Sequence, residues 1–149
     1  VQTCALPISD LHGMDAREFE KRKNELFSSL DMHSFADRRI GQLSTGMKQK
    51  TSIVRTIIHD PPVLIFDEPT SGLDIMTSRA IMDLIRKCKD DGKTVIFSTH
   101  RMGEINQVCD DIAIIFSGKL YCNDPLEKFK NEMTKDNFED EFIFRVEEK

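Results

Sequence analysis

The sequence predicts an α/β fold with a parallel sheet flanked by helices, and three observations carry that prediction. Short apolar runs at Val63–Phe66, Thr94–Ser98 and Ile112–Phe116 show no alternation, which is how strands buried on both faces of a parallel sheet read. Between the first two lies Ile75–Lys89, where Ala80, Ile81, Leu84, Ile85 and Cys88 keep helical spacing. The first run ends in two carboxylates, Asp67 and Glu68, and Pro69 stops the strand. Acids are costly inside a core, but at the carboxyl end of a strand they face the crevice where α/β sheets bind ligands. Strands alternating with helices complete the pattern.

Composition narrows the possibilities. At 149 residues the chain has one domain's worth of core, and 39% hydrophobic with 32% charged residues describes a globular protein. A net charge of −5 argues against general nucleic-acid binding or a polybasic membrane patch. No apolar run approaches the roughly 20 residues of a membrane-spanning helix, so any membrane pathway must come from another chain. Cys4, Cys88, Cys109 and Cys122 form no Cys-x-x-Cys pair and are expected to be reduced thiols.

Taken in order, the chain begins with Val1–Ile8, which reads as the in-frame translation of a sequencing-adapter oligonucleotide. Residues 1–9 are therefore expected to be a non-native scar before an internal piece of a longer coding sequence. They have neither the basic start nor the apolar core of a targeting segment. Asp15–Leu30 is an amphipathic helix with Phe19, Leu26, Phe27 and Leu30 on one face. Phe35–Ile40 leads through Gly41 to a second helix over Gly46–Ile58, with the stripe Met47, Thr51, Val54 and Ile58. A helix start at Ser44–Gly46 offers N–H groups and a dipole to an anion, while a simple capping role explains Ser44 equally well. His59–Pro62 turns into the strand at Val63. The acids that end it suit a Mg²⁺ carried on nucleotide phosphates and the orienting of a water, or they merely face solvent. Gly92 closes the Ile75–Lys89 helix, and Arg101–Cys109 is a short helix. Gly118 turns Ile112–Phe116 into a small hairpin with Lys119–Cys122, and Leu126–Asn131 is again helical. A charged linker and an apolar patch, Phe142–Phe144, follow. His12, His33 and His59 read as surface or packing residues, and no internal repeat is visible.

Four motifs resemble one family. Leu43-Ser44-Thr45-Gly46-Met47, the acids Asp67-Glu68, Ser71-Gly72-Leu73-Asp74 and Phe97-Ser98-Thr99-His100 are similar to the signature, Walker B, D-loop and switch-histidine motifs of ABC-type ATPases, in that order. The resemblance covers roughly Leu11–Asp124, and the wording of Leu43–Lys50 and His100–Ile105 looks like the ATP-binding subunits of bacterial sodium-export ABC transporters. It implies a P-loop NTPase-like sheet, ATP and Mg²⁺ as cofactors, Asp67 on Mg²⁺ through water, and Glu68 polarising the attacking water. It further implies His100 on the γ-phosphate, Ser44, Thr45 and Gly46 on the ATP of the opposite subunit, and Asp74 at the subunit interface. The family's usual Leu-Ser-Gly-Gly-Gln has Thr45 and Met47 here, which puts the Gln contact in doubt.

The resemblance implies partners as well: a membrane permease and a second ATP-binding subunit, alike or different, at the cytoplasmic face, with no nucleic acid. No Gly-x-x-x-x-Gly-Lys-Ser/Thr loop is present, and the family's Gln loop and adenine-stacking strands are missing too. A truncation before the Walker A strand explains all three. Residues 10–124 are thus expected to be a partial ATP-binding domain and 125–149 an extension. The chain by itself is expected to be marginally folded and inactive, since the family's Walker A strand would lie between Thr94–Ser98 and Ile112–Phe116. The rival readings are a multidrug or antibiotic exporter, a soluble ABC ATPase of DNA repair or translation, and a nucleotide-sensing module without turnover. A coiled-coil insertion or a second cassette would mark the second and loss of Glu68 or His100 the third; none of these is seen.

Overall fold

The computed structural model describes Val1 and residues 11–147. Cys4, Leu6 and Ile8, and with them the expectation for residues 1–9, lie outside the described residues apart from Val1. That residue is buried, and its ammonium group donates to the Arg38 carbonyl at 3.0 Å. The chain divides into two compact units, Val1–Thr99 and His100–Lys149.

In the first unit, helix α1 (Ala16–Ser29) starts where Asp15 accepts from the N–H groups of Arg17 (2.6 Å) and Glu18 (3.3 Å). Its expected face is buried, and Lys23 lies on it with its ammonium held by Glu20 at 2.6 Å. Short 3₁₀ turns at His33–Phe35 and Ile40–Gln42 lead to α2 (Thr45–Ile57), which packs on α1. Strand β1 (Val63–Asp67), helix α3 (Ile75–Asp90) and strand β2 (Thr94–Ser98) form a parallel βαβ crossover with α3 packed on β2. Gly92, at φ +81°, makes the turn after α3.

The two strands are not buried on both faces, which corrects the reading of the apolar runs. Parallel pairing sets Leu64 beside Val95 and Phe66 beside Phe97, and Leu64 and Phe66 are buried. The other face carries Val63, Ile65 and Ile96, which are 51%, 69% and 56% exposed. A strand is buried on both sides only between two covering layers, and the described residues supply one.

In the second unit, α4 (Met102–Val108) precedes strands β3 (Asp111–Phe116) and β4 (Lys119–Pro125). These two pair antiparallel as the expected hairpin, but Ile115 and Phe116 are exposed, so this run is not a parallel strand buried on both faces. The turn sets the pairing. Ser117 and Gly118 both have positive φ (+47° and +75°), the two-residue geometry that returns a chain beside itself. Ile112, Ile114 and Cys122 on the inner face pack with Ile105 of α4 and with Leu126 and Phe129 of α5 (Leu126–Glu132).

The apolar patch at Phe142–Phe144 lies within a helix, α6 (Phe138–Glu147). Asn137 accepts from the Asp140 N–H at 2.8 Å and starts it. Phe138 stacks on Phe129 with ring centres 5.6 Å apart, and the Arg145 guanidinium lies 4.4 Å from the same ring. Buried Glu141 of α6 accepts from Arg145 Nε (2.6 Å), Thr134 N (2.8 Å), Lys135 N (3.1 Å) and the Thr134 hydroxyl (3.3 Å). Burial works against that charge, but the bonds from Arg145 and the backbone outweigh it and lower the carboxyl's pKa. Cys88 and Cys122 are buried free thiols.

Candidate functional site

Asp67 is the last residue of β1, in register with Ser98, the last of β2. The Ser98 hydroxyl donates to Asp67 Oδ1 at 2.5 Å and accepts from the Glu68 N–H at 3.0 Å. The same N–H also lies 3.2 Å from the Ser98 carbonyl oxygen. Glu68 has φ +48°, the left-handed region, so the chain leaves the strand sharply between the two acids. Asp67 is exposed and Glu68 half-buried. Successive turns, Ser71 N–H to Glu68 O (3.1 Å) and Leu73 N–H to Thr70 O (3.3 Å), carry the chain on to Asp74.

Asp74 caps α3 by accepting from the Thr77 N–H at 2.9 Å, and bonds from the Thr77 backbone and hydroxyl hold its carboxyl below the usual range. Ser44 caps α2 in the same way, accepting from the Met47 N–H at 3.3 Å. Ser44 and Thr45 are exposed. Gly46 lies against Thr77: a Cβ placed on it would sit 3.6 Å from Thr77 Cγ2 and 3.7 Å from Oγ1. The starts of α2 and α3 are therefore side by side. Gln49 of α2 reaches the loop after the acids, its Nε2 donating to the Pro69 carbonyl at 3.1 Å.

The structure thus brings Gly46, in the helix start that Ser44 caps, against Thr77, whose N–H Asp74 accepts, and ties Asp67 and the Glu68 N–H at the end of β1 to Ser98 of β2. His100 is exposed and begins the second unit, just ahead of α4. Sequence reasoning gave no role to Ser98, Gln49 or Thr77. Ser98 carried no local signal, because only the register of the strand pair sets it opposite Asp67.

The donor set fits Mg²⁺ in one manner. Among the described residues no three acidic, His or Cys side chains gather around a common point. A single exposed carboxylate, with Oδ1 held by Ser98, suits a hydrated Mg²⁺ that arrives on phosphate oxygens, not a cage built by protein alone.

Comparison with known proteins decides the family. A model of the ABC transporter family matches residues 3–71, a span that holds Ser44–Gly46, Asp67 and Glu68. The ABC transporter ATP-binding protein NatA of Bacillus subtilis is 38% identical over 127 residues, 85% of this chain and 52% of NatA. The chain belongs to the ABC transporter ATP-binding family. Another ABC relative, the Nod factor export ATP-binding protein I of Neorhizobium galegae, is 34% identical over 112 residues, 75% of this chain and 32% of that protein. A solved ABC structure, a dimeric post-hydrolysis state of the ATP-binding cassette MJ0796 bound to ADP and Pi, matches with a TM-score of 0.66. It is 30% identical and covers 76% of this chain and 49% of that one. The chain thus spans about half or less of these ABC proteins. Among the described residues no helix is long and apolar enough to cross a membrane.

Proposed function

We propose that this chain is part of an ATP-binding subunit that hydrolyses ATP as a dimer on a membrane permease, at the cytoplasmic face of the membrane. Residues 10–124 would be its share of the nucleotide-binding domain and 125–149 an extension. The observation that carries the reading is the pairing of two acids at the end of a parallel strand with a helix start, Ser44–Gly46, held beside Asp74 through Thr77. Phosphoryl transfer requires positioning and charge neutralisation more than covalent help, and those groups supply both. Bound Mg²⁺ would neutralise phosphate charge, with Asp67 holding one of its waters. Glu68 would polarise the attacking water, and His100 would contact the γ-phosphate. The exposed N–H groups at Ser44–Gly46 would meet the phosphate of ATP bound by the opposite subunit, with Asp74 at the interface.

The solute we propose is sodium, moved outward, on the wording of Leu43–Lys50 and His100–Ile105. The polypeptide by itself is proposed to be inactive, since no Gly-x-x-x-x-Gly-Lys-Ser/Thr loop occurs in it.

The decisive test is Glu68→Gln in the complete subunit, which keeps shape and removes the charge. ATP binding should survive and the ATP-bound dimer accumulate, while phosphate release falls by about 10²-fold or more. Turnover near the wild-type rate would sink the role given to Glu68.

A further inference from the structure

We propose that Ser98 is a positioning residue for hydrolysis, whose single hydroxyl fixes the side chain of Asp67 and the backbone of Glu68 at once; this rests on the ATPase reading above. A serine hydroxyl has one proton to donate and two lone pairs. Here the proton goes to Asp67 Oδ1 at 2.5 Å, within the range of charge-assisted O–H···O⁻ bonds, and a lone pair takes the Glu68 N–H at 3.0 Å. Both contacts follow from the register that sets Ser98 opposite Asp67.

Each contact controls something the strands alone leave open. Asp67 is exposed at a strand end, where its carboxylate has no packing to select a rotamer, and a bond to Oδ1 selects one. Among the described residues Oδ2 has no hydrogen-bond partner, which leaves that oxygen to meet a hydrated cation. Glu68 holds a left-handed φ of +48° that a non-glycine residue adopts only when neighbours hold it there. The Ser98 hydroxyl and carbonyl both bond its N–H. One residue thereby holds both the Asp67 side chain and the Glu68 backbone, adjacent in sequence. A threonine could make both contacts, whereas alanine or valine could make neither.

The test compares Ser98→Thr with Ser98→Val in the complete subunit. Both residues are β-branched, nearly equal in volume and suited to a strand, so only the hydroxyl distinguishes them. The S98T variant should keep turnover within a few-fold of wild type. The S98V variant should lose about ten- to a hundredfold in kcat and need more Mg²⁺ for half-maximal rate, with KM for ATP little changed. A readout independent of metal and nucleotide is amide exchange at Glu68, which should be severalfold faster in S98V than in S98T. A purely structural serine would shift thermal melting and leave the Mg²⁺ requirement alone. Equal kcat and Mg²⁺ requirement in the two variants, with E68Q inert, would overturn the role of Ser98 and leave the ATPase reading standing. Absence of ATP-dependent phosphate release from the wild-type complete subunit would instead remove the ATPase reading and this proposal with it.

Discussion

Gly46→Ala separates the fold from the function at one atom. Gly46 lies in the first turn of α2, and its backbone is not in the left-handed region that only glycine tolerates well. An alanine Cβ would meet Thr77 Cγ2 at 3.6 Å and Oγ1 at 3.7 Å, ordinary van der Waals contacts. Stability should therefore hold or rise, because alanine in a helix is favoured over glycine by about 0.5–1 kcal/mol. For a protein of this size that is a rise in Tm of no more than about 4 °C. The same methyl is added in the first turn of α2, whose N–H groups the proposed function sets beside a phosphate. Crowding of that kind costs about 1–3 kcal/mol, or roughly five- to 150-fold in rate. Thermal melting and phosphate release, measured on the same preparation of the complete subunit, read the two effects separately. A clear fall in Tm would refute the packing argument. Unchanged turnover would refute the approach of a phosphate to Gly46.

Three further outcomes follow from groups outside the site. Glu141→Ala should destabilise the second unit by about 3–5 kcal/mol, since it strands Arg145 and two backbone N–H groups; Glu141→Gln, which can still accept from the backbone, should cost less in urea melts. Acid should act through Asp60 and Glu141, whose carboxyl pKa values lie below their ordinary 3.8 and 4.5: their contribution is whole above those values and is lost as pH falls through the lower, folded ones. For Asp60 the leading cause is the hydrogen bond from Lys93, so Lys93→Met should move acid unfolding to higher pH. His59 is held below 6.5 by burial first and then by the His12 ring stacked on it at 3.9 Å. The unfolded chain binds that proton sooner, so Tm should already fall between about pH 7 and pH 5. His59→Gln should flatten that slope; an unchanged slope would contradict the assignment.

Element positions were legible because local signals agreed. Asp15, Ser44 and Asp74 each precede an apolar stripe, and each proves to be the cap of a helix. Face and pairing were less legible, because they depend on neighbours. The run Val-Leu-Ile-Phe at 63–66 has the composition of a strand between two layers, yet alternate residues are exposed where only one layer covers it. The run Ile112–Phe116 has the same composition; the hairpin that Gly118 signals is present, with Ser117 and Gly118 at positive φ directly after the run, yet Ile115 and Phe116 are exposed. In Phe138–Glu147 charged residues interrupt the apolar stripe, and the helix became visible only with Asn137 at its start and Glu141 satisfied inside.

The site divides along the same line. Carboxylates, a capping serine and a glycine declare themselves by type, since few other residues do their chemistry at a strand end or a helix start. What fixes those groups is chosen by register, and register joins residues far apart in the chain. Ser98 lies 31 positions from Asp67, and Gln49 lies 20 from the Pro69 carbonyl it holds. Nothing local distinguishes Ser98 from Thr99 or Thr94. Only the ladder Val63↔Thr94 through Asp67↔Ser98 does so, since a shift of one residue would set Thr99 or Phe97 opposite the acid instead. The register is itself set by burial, because Leu64 with Val95 and Phe66 with Phe97 must share the covered face. The apolar pattern of two strands thus selects which hydroxyl meets the acid, and a change that slipped this pairing would disable the site without touching any of its charged residues.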